Sequence, residues 1–157
     1  MTASLRPAIE AAAERIAPHV RVTPVMTLPA RESLLPGGVT LKLECLQHAG
    51  SFKPRGAFNR ILSSTVPPSG VIAASGGNHG MAVAFAARAL GLRAEIFVPE
   101  IASPVKIERL RALGAVVHVV GREYAEALEA QAARQRETGA LEVHAYDQDE
   151  VLAGQGT

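Results

Sequence analysis

The sequence has little with which to staple, anchor or strongly charge a fold. It contains no tryptophan, one cysteine (Cys45) and two aspartates (Asp147 and Asp149). A single cysteine excludes an internal disulfide and a cysteine-built zinc site, and it suits a reducing cytoplasm. Sixteen basic and fifteen acidic side chains leave a net charge of +1. That balance lacks the basic excess of a nucleic-acid module, so no nucleic-acid partner is expected. The longest apolar run, Met81 to Ala87, ends at Arg88 and is far too short to span a bilayer. Met1 to Pro7 lacks the basic-then-apolar layout of a signal peptide. The five histidines show no metal-ligand spacing. What is present is an apolar fraction of 48% over 157 residues, enough for one domain or one and a half. Lysine is scarce beside arginine, so Lys42, Lys53 and Lys106 each stand out.

The order of elements predicts an α/β fold. Leu5, Ile9, Ala12, Ala13 and Ile16 recur at helical spacing up to Pro18. Thr23-Pro24 to Pro29 reads as extended and turn-rich, and Val39, Leu41 and Leu43 alternate as a strand. A second helix opens at Pro54, with Phe58, Ile61 and Leu62 on its apolar face. Pro67-Pro68-Ser69 is the clearest linker and marks a domain boundary. Beyond it, strands at Gly70–Ala74, Ala94–Val98, Ala115–Val120 and Leu141–Tyr146 alternate with three helices. The helices span Gly80–Leu90, Ser103 (as cap) to Gly114, and Tyr124–Thr138. Such alternation implies a parallel sheet of βαβαβαβ type with helices on both faces, a three-layer arrangement. Glu150 to Ala153 then opens another helix, capped by Asp147 or Asp149. That unfinished element suggests the first part of a longer protein. Cys45 is expected to be a small buried hydrophobe, and Arg109, Arg111, Arg134 and Arg136 to be solvated.

Two segments combine glycine, polar groups and an element boundary. In Gly50-Ser51-Phe52-Lys53-Pro54-Arg55-Gly56, Lys53 stands at a helix start, where the dipole disfavours an ammonium. A neutral amine is what a Schiff base with a carbonyl requires, although a surface lysine beside a cap fits as well. In Ser75-Gly76-Gly77-Asn78-His79-Gly80, a buried strand gives way to a helix. That is where ligands bind in parallel sheets, and free N–H groups there suit a carboxylate or phosphate. An ordinary glycine-rich turn is the plain alternative. A dinucleotide fingerprint through Gly77, Gly80 and Glu100 is weak, because Ser75 replaces its first glycine.

Taken together these segments resemble the threonine dehydratase and serine racemase family of pyridoxal 5'-phosphate (PLP) enzymes. The resemblance runs through Arg21-Val22-Thr23-Pro24, Leu41-Lys42-Leu43-Glu44 with Gln47, and Ser51-Phe52-Lys53 with Arg55-Gly56-Ala57. It continues through Ser75 with Gly77-Asn78-His79, Lys106 with Leu113-Gly114-Ala115, and Gly154-Gln155-Gly156-Thr157.

The resemblance implies a tryptophan-synthase-like fold. Residues 1–66 would belong to a large cofactor domain, 69–146 to a small α/β domain that closes over substrate, and 147–157 to the return. Lys53 would form the Schiff base with PLP, Phe52 would flank its ring, and Asn78 would bond its 3′-oxygen. Ser75, Gly76, Gly77, Asn78 and His79 would hold the carboxylate of a small amino-acid substrate. The reaction implied is β-elimination from serine or threonine to a 2-oxo acid and ammonia, with Lys53 taking the α-proton. Racemising relatives carry serine where this chain has Gly76, which favours dehydratase over racemase and leaves room near the carboxylate. The family's phosphate loop, ring-nitrogen partner and divalent-cation ligands have no counterpart here. The chain alone is therefore expected to bind PLP poorly and to be inactive. A homo-oligomer, or a need for the missing C-terminal half, is expected. The alternatives from other classes are a non-catalytic amino-acid-binding or interaction module and a nucleotide-binding domain.

Overall fold

Strands with apolar residues on both faces need cover on both sides, and this chain supplies it with three helices. The computed structural model describes residues 5–33 and 35–157. Met1–Ser4, read above for a signal layout, lie outside the described residues. The elements in chain order are α1 (Arg6–Ile16), β1 (Val25–Leu28), β2 (Val39–Lys42), α2 (Lys53–Leu62) and β3 (Val71–Ala74). They continue with α3 (Asn78–Ala89), β4 (Ala94–Val98), α4 (Pro104–Ala112), β5 (Val116–Val119), α5 (Tyr124–Thr138), β6 (Leu141–Glu142) and α6 (Asp149–Gln155).

The main sheet is parallel, with strand order β5-β4-β3-β6. Its two faces are separated residue by residue. Val71, Ala73, Ala94, Ile96 and Val98 pack with Val83, Ala87 and Leu110 of α3 and α4. Ile72, Ala74 and Phe97 pack with Leu128 and Ala130 of α5 on the other face. The period-2 alternation of a strand produces this division, and it gives the three-layer fold expected above. α1, α2 and α6 pack together and α2 also lies on α3, so that Ile16, Phe58, Ile61 and Val151 share the core of that face of the sheet; β1 pairs antiparallel with β2. Phe85 of α3 meets Phe58 edge-on at 6.1 Å and His48 stacked at 4.5 Å.

Several expectations change. Val25–Leu28 is a strand, because β2 supplies its ladder partner across the turn at Gly37-Gly38. α3 begins at Asn78, two residues before Gly80, so Asn78 and His79 belong to a helix and not to a loop. β6 stops at Glu142 and does not reach Tyr146. Past Val143 the backbone turns to side chains for its bonds: Val143 O to His79, His144 N to Gln148 and Ala145 O to Lys53. Gln148 and not an aspartate occupies the N-cap of α6, with Asp149 as the first helical residue. Ser103 occupies the N-cap of α4 but makes no side-chain cap bond. Leu5 and Ala13 are exposed, leaving Ala12 and Ile16 as the buried stripe of α1. Cys45 is exposed, on a turn outside both cores. Arg134 is not a free surface charge; it reaches from α5 to Glu95 of β4.

Gly80 marks where α3 crosses closest to the end of β3. A Cβ there would lie 2.1 Å from Ser75 O and 3.2 Å from Ile96 Cγ2. Gly80→Ala is therefore expected to destabilise the chain by about 1–3 kcal/mol through overpacking, read from urea midpoints. An unchanged midpoint would count against this crossing.

Candidate active site

Three chain segments converge on one edge of the molecule: the start of α2, the β3–α3 junction, and the turn that follows β6. Lys53 is the first residue of α2, with Phe52 at the N-cap and Pro54 next, where its missing N–H costs nothing. The Lys53 amine donates to Ala145 O at 2.7 Å and lies 5.1 Å from the centre of the Phe52 ring. Burial holds it below the ordinary lysine range. The lowering expected from the helix dipole is thus found, with desolvation as its cause.

The β3–α3 junction is a tight loop. Ser75 N donates to Phe97 O at 2.9 Å, which continues the sheet, and Gly77 N donates to Ser75 Oγ at 3.2 Å. Gly77 is the N-cap of α3, with no side-chain cap and no acid in the first turn. The first N–H groups of this helix are accordingly free for an anion. Asn78 is exposed at the first helical position. His79 turns the other way. It is buried, and its Nε2 donates to Val143 O at 2.7 Å. Burial drives its pKa down to about 4, with Lys53 and His144 adding to the effect against the opposing Val143 bond. A Cβ at Gly76 would sit 3.2 Å from Ala102 Cβ and 3.7 Å from Val98 Cβ. The space expected at Gly76 is therefore bounded by these two side chains.

The described cavities lie elsewhere. One of about 190 Å³ is lined by Ile16, Arg21, Lys42, Arg55 and Thr157, and one of about 210 Å³ by Ala8, Ala11, Arg15 and Asn59 among others. Lys53, Phe52 and Asn78 stand instead on an open edge.

Residues 16–157 match the model of a family described as pyridoxal-phosphate dependent enzyme. The chain belongs to that family. It is 47% identical over 123 residues to the L-threonine ammonia-lyase of Thermotoga maritima, covering 77% of this chain and 31% of that protein. It is 41% identical over 152 residues to L-threonine dehydratase catabolic TdcB of Staphylococcus aureus, covering 95% of this chain and 44% of the relative. Among solved structures, a T.th. threonine deaminase superposes with a TM-score of 0.85 at 41% identity, covering 96% of this chain and 48% of that one. Maize serine racemase superposes at 0.86 with 34% identity, covering 94% and 46%. The chain thus spans less than half the length of these relatives.

Membership of the pyridoxal-phosphate family can be tested on the residues present. A desolvated lysine amine is the group such a cofactor requires. Two positions earlier in the chain, Ser51 Oγ is buried with no hydrogen-bond partner among the described residues. The uncapped start of α3 offers donors to an acidic group. These residues fit the cofactor. The dinucleotide reading loses its support, since residues 16–157 match the pyridoxal-phosphate family and Gly80 is accounted for by the helix crossing.

Residues that sequence reasoning passed over complete the edge. Ala145 contributes only its carbonyl. Gln155 of α6 donates to the same oxygen at 3.3 Å. Arg55, Glu44 and Thr157 fasten α2 to its neighbours. Their signal was the quoted motifs themselves, in which no pairing is written. Among the described residues no cluster of metal-ligating side chains occurs, and no helix is long and apolar enough to cross a membrane.

Proposed function

We propose that this chain is the N-terminal portion of a PLP-dependent serine/threonine dehydratase, with Lys53 as the cofactor-binding lysine. The observation that carries the reading is the desolvated Lys53 amine, set beside the uncapped start of α3 in a chain of this family. Phe52 and Asn78 are the further cofactor contacts. Ser75, Gly76, Gly77, Asn78 and His79 form the substrate-carboxylate segment, its donors being backbone N–H groups and its shape depending on the buried His79. PLP would supply an electron sink for the carbanion left when an α-proton departs. Lys53 Nζ is the base that takes that proton, and its lowered pKa keeps more of it unprotonated near neutrality. Ala145 O orients the amine, and the Phe52 ring lies beside it.

Elimination needs a base on one face only, whereas racemisation needs a second group. Gly76 offers none, and the close approach of Ala102 leaves little room for one. The domain reading keeps 1–66 and 147–157 together, in keeping with the packing of α6 on α1 and α2, and 69–146 as the small domain. The cofactor phosphate and ring nitrogen would be held by the C-terminal half or by a homo-oligomeric partner. An exposed, unpaired Cys45 suits a reducing compartment, and we place the protein in the cytoplasm.

The test is borohydride reduction after incubation with PLP, followed by peptide mass mapping. It is run on the chain alone and on the chain mixed with the C-terminal half of a dehydratase. A pyridoxyl adduct confined to Lys53 is expected, with 2-oxo acid and ammonia released from serine or threonine in the mixture. Equal labelling of Lys42, Lys53 and Lys106 in both samples would overturn the assignment. Selective trapping without turnover would favour an amino-acid-binding module.

A further inference from the structure

We propose that Gln155 is a positioning residue for Lys53, acting through an acceptor they share, the carbonyl oxygen of Ala145. Its functional meaning rests on the reading of Lys53 given above; its geometry does not. Ala145 O receives the Lys53 amine at 2.7 Å and Gln155 Nε2 at 3.3 Å. A lysine that must leave this oxygen to react would strand a part-buried acceptor, which is costly. Gln155 is already within reach and can tighten onto the oxygen as Lys53 departs. The shared carbonyl therefore holds the amine without trapping it.

Both sides of this arrangement are built. The carbonyl sits in a turn fixed by its neighbours. His144 N donates to Gln148 Oε1, Gln148 Nε2 donates to Glu142 O, and the N–H groups of Tyr146 and Asp147 donate to His144 Nδ1. His79 holds Val143 O just before it. On the other side, the residues around Gln155 set its height. A Cβ at Gly154 would lie 2.5 Å from Arg55 O and 2.9 Å from Gly56 Cα, so only glycine lets α6 rest this closely on α2. A Cβ at Gly156 would lie 2.8 Å from Ile9 Cδ1 of α1. Thr157 Oγ1 accepts from Arg55 at 3.2 Å and donates to Gly154 O at 2.8 Å. The Gly154-Gln155-Gly156-Thr157 motif thus becomes a clamp that delivers one amide to one carbonyl.

The charged groups around Lys53 are few. His79 on α3 feels its charge, and His144 on the turn also acts on His79. From α2, Arg55 is turned away to Glu44, and from α6 the facing group is the neutral Gln155.

The test reads the Lys53 amine directly, without cofactor. The chain is trace-acetylated across pH and analysed by peptide mass spectrometry, with exposed Lys106 as internal reference. In Gln155→Leu the ammonium would hold the carbonyl alone, so Lys53 labelling at pH 8 should slow about three- to ten-fold relative to Lys106. Gln155→Glu, close in shape, should slow it further by placing a carboxylate beside the ammonium. A merely structural Gln155 would loosen α6 and speed labelling in Gln155→Leu. Unchanged or faster labelling in that variant, or unchanged labelling in Gln155→Glu, would overturn the proposal. Trapping at Lys53 stays a separate readout. Unselective trapping with slowed acetylation removes the Schiff-base reading alone, and selective trapping with unchanged acetylation removes this one alone.

Discussion

Arg55→Ala is expected to destabilise the chain by about 3–5 kcal/mol, because it takes the two-pronged partner from the shielded Glu44 carboxylate and leaves it only the Thr23 hydroxyl and the Lys42 amine 3.9 Å away. The Arg55 side chain is 8% exposed and that of Glu44 is 16% exposed. Two parallel bonds join them, at 2.7 and 2.8 Å. Arg55 also donates to Arg21 O and to Thr157 Oγ1. One guanidinium thus ties α2 to the turn after β2, to the segment after α1 and to the end of α6. Burial alone would raise the Glu44 pKa, but the bonds from Arg55 and Thr23 outweigh it and hold the carboxyl below its ordinary value. The sign follows from that depression. The contribution of Glu44 is present above the ordinary carboxylate range and is lost as pH falls through the lowered folded value. Urea unfolding at pH 7 measures the loss. The double variant Arg55→Ala/Glu44→Leu should recover about half of it, since no unpaired charge is then buried. A single-variant loss below about 1 kcal/mol would show that the pair is solvated.

Acid should weaken the fold before its carboxylates titrate, through His79. This side chain is 5% exposed, and its only described partner is a carbonyl, which accepts from a neutral imidazole as well as from a charged one. Its folded pKa of about 4 lies below the ordinary imidazole value. Between those two pH values the unfolded chain binds a proton that the folded chain does not. Stability therefore rises with pH across this window, and its full value is present above the ordinary imidazole range. Between pH 7 and pH 5 the expected loss from this group is about 2 kcal/mol. His48, lowered by burial and by Arg21, acts in the same direction. His79→Gln isolates the larger part, because it keeps an N–H donor for Val143 O but does not titrate. Its stability should be markedly flatter over this range by urea midpoints. An equal slope in both proteins would place the proton elsewhere.

These two residues show how far the sequence could be read. The motifs containing Arg55 and His79 were visible as motifs, and the resemblance pointed to the family in which the chain belongs. Where their side chains turn was not visible. His79 reads as part of a ligand loop, yet it is buried in the first turn of α3. Arg134 reads as solvated on a helix, and Glu95 falls within a strand with no role assigned. In the fold they meet across the α5 face of the sheet, with His118 and Arg93 also bonded to Glu95. Cys45 reads as a buried hydrophobe from its residue type, and it stands exposed on a turn.

By itself the sequence determined the elements whose signals act over a few residues. α5 runs from Tyr124 to Thr138 as expected, ended by Gly139 in the left-handed region with φ 66°. β3 is buried on both faces because its apolar run is unbroken, β4 is interrupted only by the paired Glu95, and the alternation of elements made the sheet parallel. Tertiary structure alone decided which backbone carbonyls receive which side chains. The Lys53–Ala145 bond spans 92 residues of chain and the His79–Val143 bond 64. Capping, periodicity and turn chemistry are local and can be read from neighbouring residues. A carbonyl acceptor is the same group at every position, so only packing, here the glycine crossings of α6 on α2 and of α3 on β3, selects the one that faces the amine.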